Sequence, residues 1–202
     1  MNDHEKNWDA RLRICTSGRD DTHSDAYRYP YEPTPYAVLE RLADSGLLGE
    51  GNVLLDYGCG KGRVDFFLAH VIKLKAIGVE YDEGIFRSAL ENRETAVSGE
   101  YTEFILTRAE AFSVPPEVDS LYFFNPFSVE ILRKVMAEIL NSYYDTPREI
   151  LLFFYYPSDE YISYLMTVDE LDFYDEIDCG DLFAGNEQRE RILIFSLPEF
   201  PS

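Results

Sequence analysis

The stretch "VLLDYGCGKGR" at positions 53–63 decides the fold of this chain. Its apolar start predicts a short buried strand, and three glycines at alternate positions follow that strand. Gly58, Gly60 and Gly62 permit a tight turn in which the backbone itself comes close to another group. Asp56 stands two residues before the first glycine, so a carboxylate is expected beside the turn.

The composition is that of a folded protein of about one domain. The chain has 202 residues, of which 46% are apolar and 15% aromatic, enough to bury a core without cross-links. No apolar run approaches the roughly 20 residues that span a bilayer, and the polar N-terminus does not resemble a secretory signal. Cys15, Cys59 and Cys179 are too scattered for a disulfide framework or a metal site. We therefore expect a reduced cytoplasmic protein that binds no metal and no membrane.

The net charge narrows the range of partners. The chain carries 38 acidic and only 18 basic side chains, which gives a net charge of −20. Nucleic-acid binding depends on Lys and Arg side chains that neutralise phosphates, so a chain this acidic repels a polyanion at long range. We expect a small-molecule or protein substrate and no nucleic-acid partner. The sequence says nothing about the oligomeric state.

Strand and helix patterns alternate along most of the chain. Helical spacing of apolar residues separates the predicted strands, which is typical of a parallel sheet with helices on both faces. The last two strands follow each other without a helix, which predicts an antiparallel C-terminal hairpin. The predicted fold is therefore α/β, with a mostly parallel seven-stranded sheet. Its strands are expected at 53–56, 76–80, 103–106, 120–124, 149–156, 171–177 and 191–197.

The first 35 residues are predicted to form a partly irregular N-terminal arm, followed by one domain over 36–202. Thr34-Pro35 is typical of a helix start, because proline suits the first helical position. The arm is rich in tyrosine. Tyr29, Tyr31 and Tyr36 either pack on the sheet or form a lid, and a tyrosine here, such as Tyr36, is the candidate for a general base.

The glycine turn differs from a dinucleotide-binding fingerprint. In G-x-G-x-x-G the third glycine comes one residue later than Gly62, and here Arg63 takes that position. A pyrophosphate would be repelled by Asp56, whereas a sulfonium or ammonium group suits a carboxylate. The second strand ends at Glu80, twenty residues after Gly60, where a carboxylate can accept hydrogen bonds from two ribose hydroxyls.

These two segments, "LLDYGCGKGR" and "IGVEYD", resemble the class I S-adenosylmethionine-dependent methyltransferases. The resemblance covers residues 36–197 and implies the Rossmann-like fold of that family, with S-adenosyl-L-methionine as cofactor. It places Asp56 near the methionine amino group, Glu80 at the ribose and Tyr81 on the adenine. The backbone of the turn would then approach the cofactor at Gly58, Cys59, Gly60 and Gly62.

The segment "LTRAEAF" after the third strand departs from the family pattern. The family often has an acid there that holds the adenine amino group, whereas this chain has Arg108. Either Glu110 or a backbone carbonyl near Ala109 takes that role, and the sequence does not decide between them.

The fourth strand ends in Asn125-Pro126-Phe127, on the side where a transferable methyl group would lie. The segment resembles the Asn-Pro-Pro-Tyr/Phe motif of methyltransferases that act on planar amino groups, but it is one proline short. Two interpretations stay open. Asn125 contacts cofactor and substrate and Phe127 stacks on the substrate, or the segment is a strand-to-helix turn whose Phe127 lies in the core.

The sequence thus predicts a methyltransferase with an unidentified small-molecule or protein acceptor. Transfer from a sulfonium is an in-line displacement in which positioning and desolvation supply most of the acceleration. A noncatalytic module that binds S-adenosylmethionine or another nucleoside on the same fold is the alternative. A nucleic-acid amino-methyltransferase is a third interpretation, disfavoured by the charge and by the missing proline.

Overall fold

One seven-stranded sheet organises the chain. The computed structural model describes residues 3–17, 32–185 and 187–199. The order across the sheet is 3-2-1-4-5-7-6; strands one to five run parallel, and strand seven is antiparallel to both its neighbours. The predicted α/β class and C-terminal hairpin are confirmed. The strands are β1 Val53–Tyr57, β2 Lys75–Glu80, β3 Thr102–Leu106, β4 Ser120–Phe123, β5 Ile150–Tyr155, β6 Asp172–Asp178 and β7 Arg191–Leu197.

Helices cover both faces of the sheet, as predicted. The first four pack on one face together with Leu54 of β1, and the last two pack on the other face with Leu55. Adjacent residues of a strand point to opposite faces, so β1 is apolar on both sides because it is covered on both sides. The helices are α1 Asp3–Leu12, α2 Tyr36–Asp44, α3 Arg63–Val71, α4 Glu83–Thr95, α5 Val129–Asp145 and α6 Asp159–Leu165.

Helix α1 was not predicted from the sequence. It buries only Asp9 and Leu12, so it lacks the apolar stripe that marks most surface helices. Leu12, the last residue of α1, and Ile14, which follows the helix, nevertheless belong to the same core as α2 and α3. The expected irregular start of the chain is therefore helical over these residues. The division at residue 35 stays a prediction, and Tyr29 and Tyr31 lie outside the described residues.

The predicted start of α2 is close to the observed one. Pro35 caps the helix from the preceding position, with φ −58° and ψ 138°, and the first helical residue is Tyr36. Pro35 therefore orients the chain into the helix without itself adopting helical geometry. In the part of the chain that the structure describes, no helix combines the length and the apolar character needed to cross a bilayer.

Candidate functional site

A cavity opens at the carboxyl ends of β1, β2 and β4, where the order of the sheet reverses. Open α/β sheets bind ligands at this switch point. The glycine turn, the end of β2, the segment after β3 and the turn after β4 all contribute to its wall. The lining residues are Glu32, Pro33, Thr34, Asp56, Gly58, Cys59, Arg63, Val64, Val79, Glu80, Tyr81, Asp82, Ile85, Thr107, Ala109, Glu110, Tyr122, Phe124, Asn125, Pro126, Phe127 and Ile131.

Gly58 brings two walls of the cavity together. Its φ is +75°, and a β-carbon built on it would lie 2.5 Å from the β-carbon of Pro126. The amides of Gly58 and Cys59 both donate to the carbonyl of Val79, which fixes the turn to β2. The predicted close approach of backbone is therefore present, but at Gly58 it is made to the turn after β4.

Gly60 and Gly62 belong to the glycine turn but do not line the cavity. A β-carbon on Gly62 would lie 2.6 Å from the ring of Phe104, so this glycine permits core packing beneath the start of α3. The Cys59 side chain points to the core, since its sulfur lies 2.7 Å from where a β-carbon on Gly78 would be. Of the four residues whose backbone is predicted to approach the cofactor, only Gly58 and Cys59 thus line the cavity.

Glu80 ties the end of β2 to the glycine turn. Its Oε2 accepts from the Gly60 amide at 3.0 Å, and its Oε1 accepts from the amides of Tyr81 and Asp82 at 2.8 and 2.9 Å. Burial raises the pKa of this carboxyl, and the three amide donors oppose the rise. A carboxylate has about four lone-pair positions, so one remains on Oε2. The contact with the ribose hydroxyls stays a prediction, for which this one position on Oε2 is available.

The Glu80→Ala substitution should weaken binding of S-adenosylhomocysteine by roughly 10- to 150-fold, which corresponds to about 1.5–3 kcal/mol for hydrogen bonds to a charged group. The change removes a ligand contact and also leaves the Gly60 amide without its acceptor. Titration calorimetry measures the effect. Glu103→Ala, on an exposed position of β3, is the control and should leave the affinity unchanged. An affinity for Glu80→Ala equal to that of the unsubstituted protein would mean that another group holds the ribose.

Asp56 lies on the cavity wall at the end of β1 and is only 3% exposed. Burial is the largest cause that raises the pKa of its carboxyl, and the nearby carboxylates of Asp65 and Glu80 raise it further. Within residues 3–17, 32–185 and 187–199, no arginine or lysine lowers this pKa. A buried acid in this setting favours a cationic group in the cavity, because a cation offsets both the desolvation and the repulsion.

The adenine side of the cavity contains the residues predicted for it. Tyr81, Ala109 and Glu110 all line the wall, the last two from a short 3-10 helix after β3. Arg108 precedes this helix, is exposed and does not line the cavity. Both Ala109 and Glu110 are in position, so the choice between them stays open and each role stays a prediction.

Asn125 lines the cavity, but its side-chain amide is engaged elsewhere. The amide nitrogen donates to the carbonyl of Tyr156, and the amide oxygen accepts from the Ser158 backbone at 3.3 Å. Both Asn125 and Tyr156 have positive φ, 40° and 50°, a conformation that Asn tolerates better than Tyr. The amide thus joins the turns after β4 and β5, and the role of Asn125 toward cofactor and substrate stays a prediction.

Phe127 lies mainly in the core. Its ring is 4% exposed and meets the rings of Tyr57 and Phe123 edge-on. Its carbonyl accepts a hydrogen bond from the Tyr161 hydroxyl at 2.6 Å. One lone pair of the Asn125 amide oxygen, the Phe127 carbonyl and the Phe127 ring are therefore used within the protein. This geometry supports the turn-and-core interpretation of Asn125-Pro126-Phe127.

Tyr36, the candidate base, is not at the cavity. Its ring is fully buried, and its hydroxyl donates to Oδ1 of Asp9 at 2.6 Å. Burial raises the pKa of this phenol, and the hydrogen bond to Asp9 adds to the rise. The arm reaches the cavity instead through Glu32, Pro33 and Thr34. The sequence marks Thr34 only as a helix start, and no local pattern indicates its hydrogen bond to the Tyr122 hydroxyl at 3.1 Å.

Arg63 connects the arm to α3, a role that the sequence does not indicate. It is 3% exposed, and its guanidinium donates to the carboxylate of Glu5, the Thr16 hydroxyl and the Thr34 carbonyl. The same group lies 4.3 Å above the ring of Tyr36. Arg63 thus holds both α1 and the residues that close one side of the cavity.

Comparisons with known proteins agree with this architecture. No family model matches the chain. It is 32% identical over 89 residues to a protein-lysine N-methyltransferase from Saccharolobus islandicus (strain REY15A), a match that covers 40% of this chain and 55% of that protein. The chain thus spans about half the length of this curated relative.

Solved structures with the same fold include an RNA methyltransferase from Salinibacter ruber in complex with S-adenosyl-L-homocysteine. Its TM-score is 0.57 at 18% identity, over 85% of this chain and 97% of that one. A human methyltransferase 10 domain containing protein has a TM-score of 0.62 at 11% identity, over 96% and 93%. The chain therefore has the fold of the class I S-adenosylmethionine-dependent methyltransferases and is similar in sequence to a methyltransferase.

Proposed function

We propose that this protein is an S-adenosylmethionine-dependent methyltransferase. The observation that carries the proposal is the meeting of Asp56, Glu80 and Tyr81 in one cavity at the switch point of the sheet. The residues fit the cofactor chemically. A buried acid without a basic partner suits its ammonium group, a carboxylate with one lone pair left suits a ribose hydroxyl, and an aromatic ring suits the adenine.

The chain's own residues bind and orient in this proposal. The cofactor supplies an activated methyl group on a sulfonium when bound. Asp56 would hold its ammonium group and Glu80 a ribose hydroxyl, while Pro33 and Thr34 line the cavity on the arm side and would exclude water. The Thr34–Tyr122 hydrogen bond fixes this closure to β4. Positioning and desolvation are the contributions such a site makes to an in-line displacement.

The acceptor that fits best is an amine on a basic protein. Glu32, Asp82 and Glu110 give the cavity three further carboxylates, and the basic lining residue Arg63 is held by Glu5 and Thr34. The curated relative is a protein-lysine N-methyltransferase. In the proposed step, the lone pair of a neutral amine forms the new N–C bond as the S–C bond breaks. The amine proton then leaves to water.

A noncatalytic nucleoside-binding module is the second candidate. It is favoured by the observation that the Asn125 amide and the Phe127 carbonyl are both engaged within the protein. It predicts saturable binding of S-adenosylmethionine without transfer to any acceptor. For either function the proposed location is the cytoplasm, in keeping with three cysteines that are all free thiols.

A transfer assay decides between these functions. The protein is incubated with methyl-labelled S-adenosylmethionine and a cell extract separated into protein, nucleic acid and small molecules. We expect label in the protein fraction, and in a lysine-rich peptide, at about 0.15 M salt. Gly60→Val, which disturbs the turn, is the inactive control. Binding without transfer would favour the module.

The same assay tests the expected absence of a nucleic-acid substrate. Electrostatic repulsion from a net charge of −20 should prevent useful binding to duplex DNA or structured RNA at physiological salt. Label in the nucleic-acid fraction, or a steeply salt-dependent complex with RNA at micromolar protein, would contradict the charge argument. It would also restore the amino-methyltransferase interpretation.

A further inference from the structure

Asp65 is a buried acid that the proposed cofactor contacts do not use. It lies in the first turn of α3 and is 0% exposed. Neither of its carboxylate oxygens has a hydrogen-bond partner of good geometry among the described residues. A buried carboxylate without a partner costs several kcal/mol, so this position calls for a proton or a cation.

Asp56 lies two residues after Leu54 on β1, so its side chain points to the same face of the sheet, which α3 covers. Asp65 lies in the first turn of that helix, and the two carboxyls act on each other. The charge of Asp65 raises the pKa of Asp56, which itself lies on the cavity wall. Asp65 itself does not line the cavity. It therefore adds a second buried carboxyl to the one that does.

The charged and titratable groups around this pair are mostly acidic or engaged elsewhere. Arg63, two residues before Asp65 on α3, is bound to Glu5 and Thr34. Among the described residues, the other titratable groups that interact with the pair are Glu80 at the end of β2, Cys59 in the glycine turn and Tyr122 on β4. Glu80 and Asp56 both raise the pKa of the buried Cys59 thiol, as Asp65 does.

Two neighbouring buried carboxyls without a cation do not both ionise, because desolvation and repulsion add. The pair therefore holds a proton in the empty site. A ligand cation that reaches Asp56 lowers the affinity of the pair for this proton, because the cation then supplies the positive charge that the two carboxyls need. The proton is then free to leave to solvent.

We propose that Asp65 is a second acid of the ammonium-binding site, that it shares one proton with Asp56 while the cavity is empty, and that a cationic ligand group releases this proton on binding. The inference rests on the proposed function, since it takes the ligand to be the amino-acid end of S-adenosylmethionine or its product. The positive charge in the site is unchanged, because one ammonium group enters and one proton leaves. No covalent bond is formed.

Proton release on binding is the direct test. S-adenosylhomocysteine is titrated into the unsubstituted protein at pH 6 in buffers of different ionisation enthalpy, and the dependence of the measured heat on the buffer gives the protons exchanged. We expect close to one proton released per site at pH 6 and little release above pH 8. The affinity should rise with pH by up to about tenfold per unit below pH 7 and then level off.

The Asp65→Asn substitution removes one of the two titratable carboxyls and leaves Asp56 in place. The amide keeps the size of the carboxyl and supplies a permanent neutral donor to Asp56, so binding should persist while proton release and the pH dependence largely disappear. Asp145→Asn, on an exposed position at the end of α5, is the matched control and should behave as the unsubstituted protein. Saturable binding without proton release would overturn the inference and leave the proposed function standing. No binding at all would sink the proposed function.

Stability gives a second readout of the same pair. Burial raises the pKa of Asp65 from 3.8 to about 7. Between these values the folded chain holds a proton that the unfolded chain has released, so this stability is complete below about pH 4 and is lost as the pH rises through 7. The melting temperature of Asp65→Asn relative to the unsubstituted protein should therefore increase from pH 4 to pH 7. A difference that does not change with pH would contradict the shared proton.

Discussion

Gly60→Val should reduce the affinity for S-adenosylhomocysteine at least about 100-fold, to no measurable binding at millimolar ligand. Gly60 has φ +60°, a conformation that costs about 1–2 kcal/mol for an ordinary residue and more for a β-branched one. Its amide also donates to Glu80 at 3.0 Å. A valine should move the turn out of this conformation, so the change displaces the amide together with the carboxylate that we propose binds the ribose.

Titration calorimetry and thermal unfolding together measure the Gly60 effect. Gly46→Val is the matched control, because Gly46 has φ +76° and open space where its β-carbon would be. It follows α2, away from the cavity lining, and should impose a similar backbone strain without a loss of affinity. A folded Gly60→Val protein that binds the ligand as well as Gly46→Val does would show that the ligand lies elsewhere.

The sheet was predictable because its determinants are local in sequence. Each strand is a short apolar run bounded by turn residues, and the alternation with helices leaves few topologies. The glycine turn and Glu80 were predictable for the same reason, since both follow directly from predicted strands. Predicted bounds such as 191–197 coincide with β7, Arg191–Leu197. The hairpin followed from the absence of a helix before that strand.

The parts that were not predicted depend on contacts between distant residues. Arg63 meets Glu5 across 58 positions and Thr34 across 29, and no local pattern encodes such pairs. The same holds for Tyr36, whose hydroxyl is taken by Asp9. Its place in a tyrosine-rich arm left packing and a catalytic role both open, and the ring is buried in the core. A polar helix such as α1 becomes interpretable only when its partners are known.

The engaged side chains after β4 show a further limit of motif reasoning. The order Asn125-Pro126-Phe127 is similar to a substrate-binding motif, but the function of such a motif depends on free lone pairs and an accessible ring. Here the Asn125 amide hydrogen-bonds to the turn after β5, and the Phe127 ring packs in the core.

The contacts between the N-terminal arm and Arg63 should contribute strongly to the stability of the protein. Arg63→Ala should lower the free energy of unfolding by about 3–5 kcal/mol, because it leaves the largely buried acids Glu5 and Asp9 without their compensating cation. For a chain of this size the melting temperature should fall by roughly 10 °C. The Thr34 carbonyl also loses its donor, so closure of the cavity loosens and ligand affinity should fall as well.

Arg41→Ala is the control for this prediction. Arg41 also binds a carboxylate through two nitrogens, that of Asp181, but this pair lies at the surface with side chains 31% and 67% exposed. Exposed ion pairs contribute about 0–1 kcal/mol, because water and salt screen them. The two arginine variants remove the same charge and differ mainly in the burial of the partners. Equal losses in denaturant unfolding would refute a structural role for the buried contact, whereas a large loss for Arg63→Ala alone would show that α1 and the cavity-closing residues are held to the sheet through one side chain.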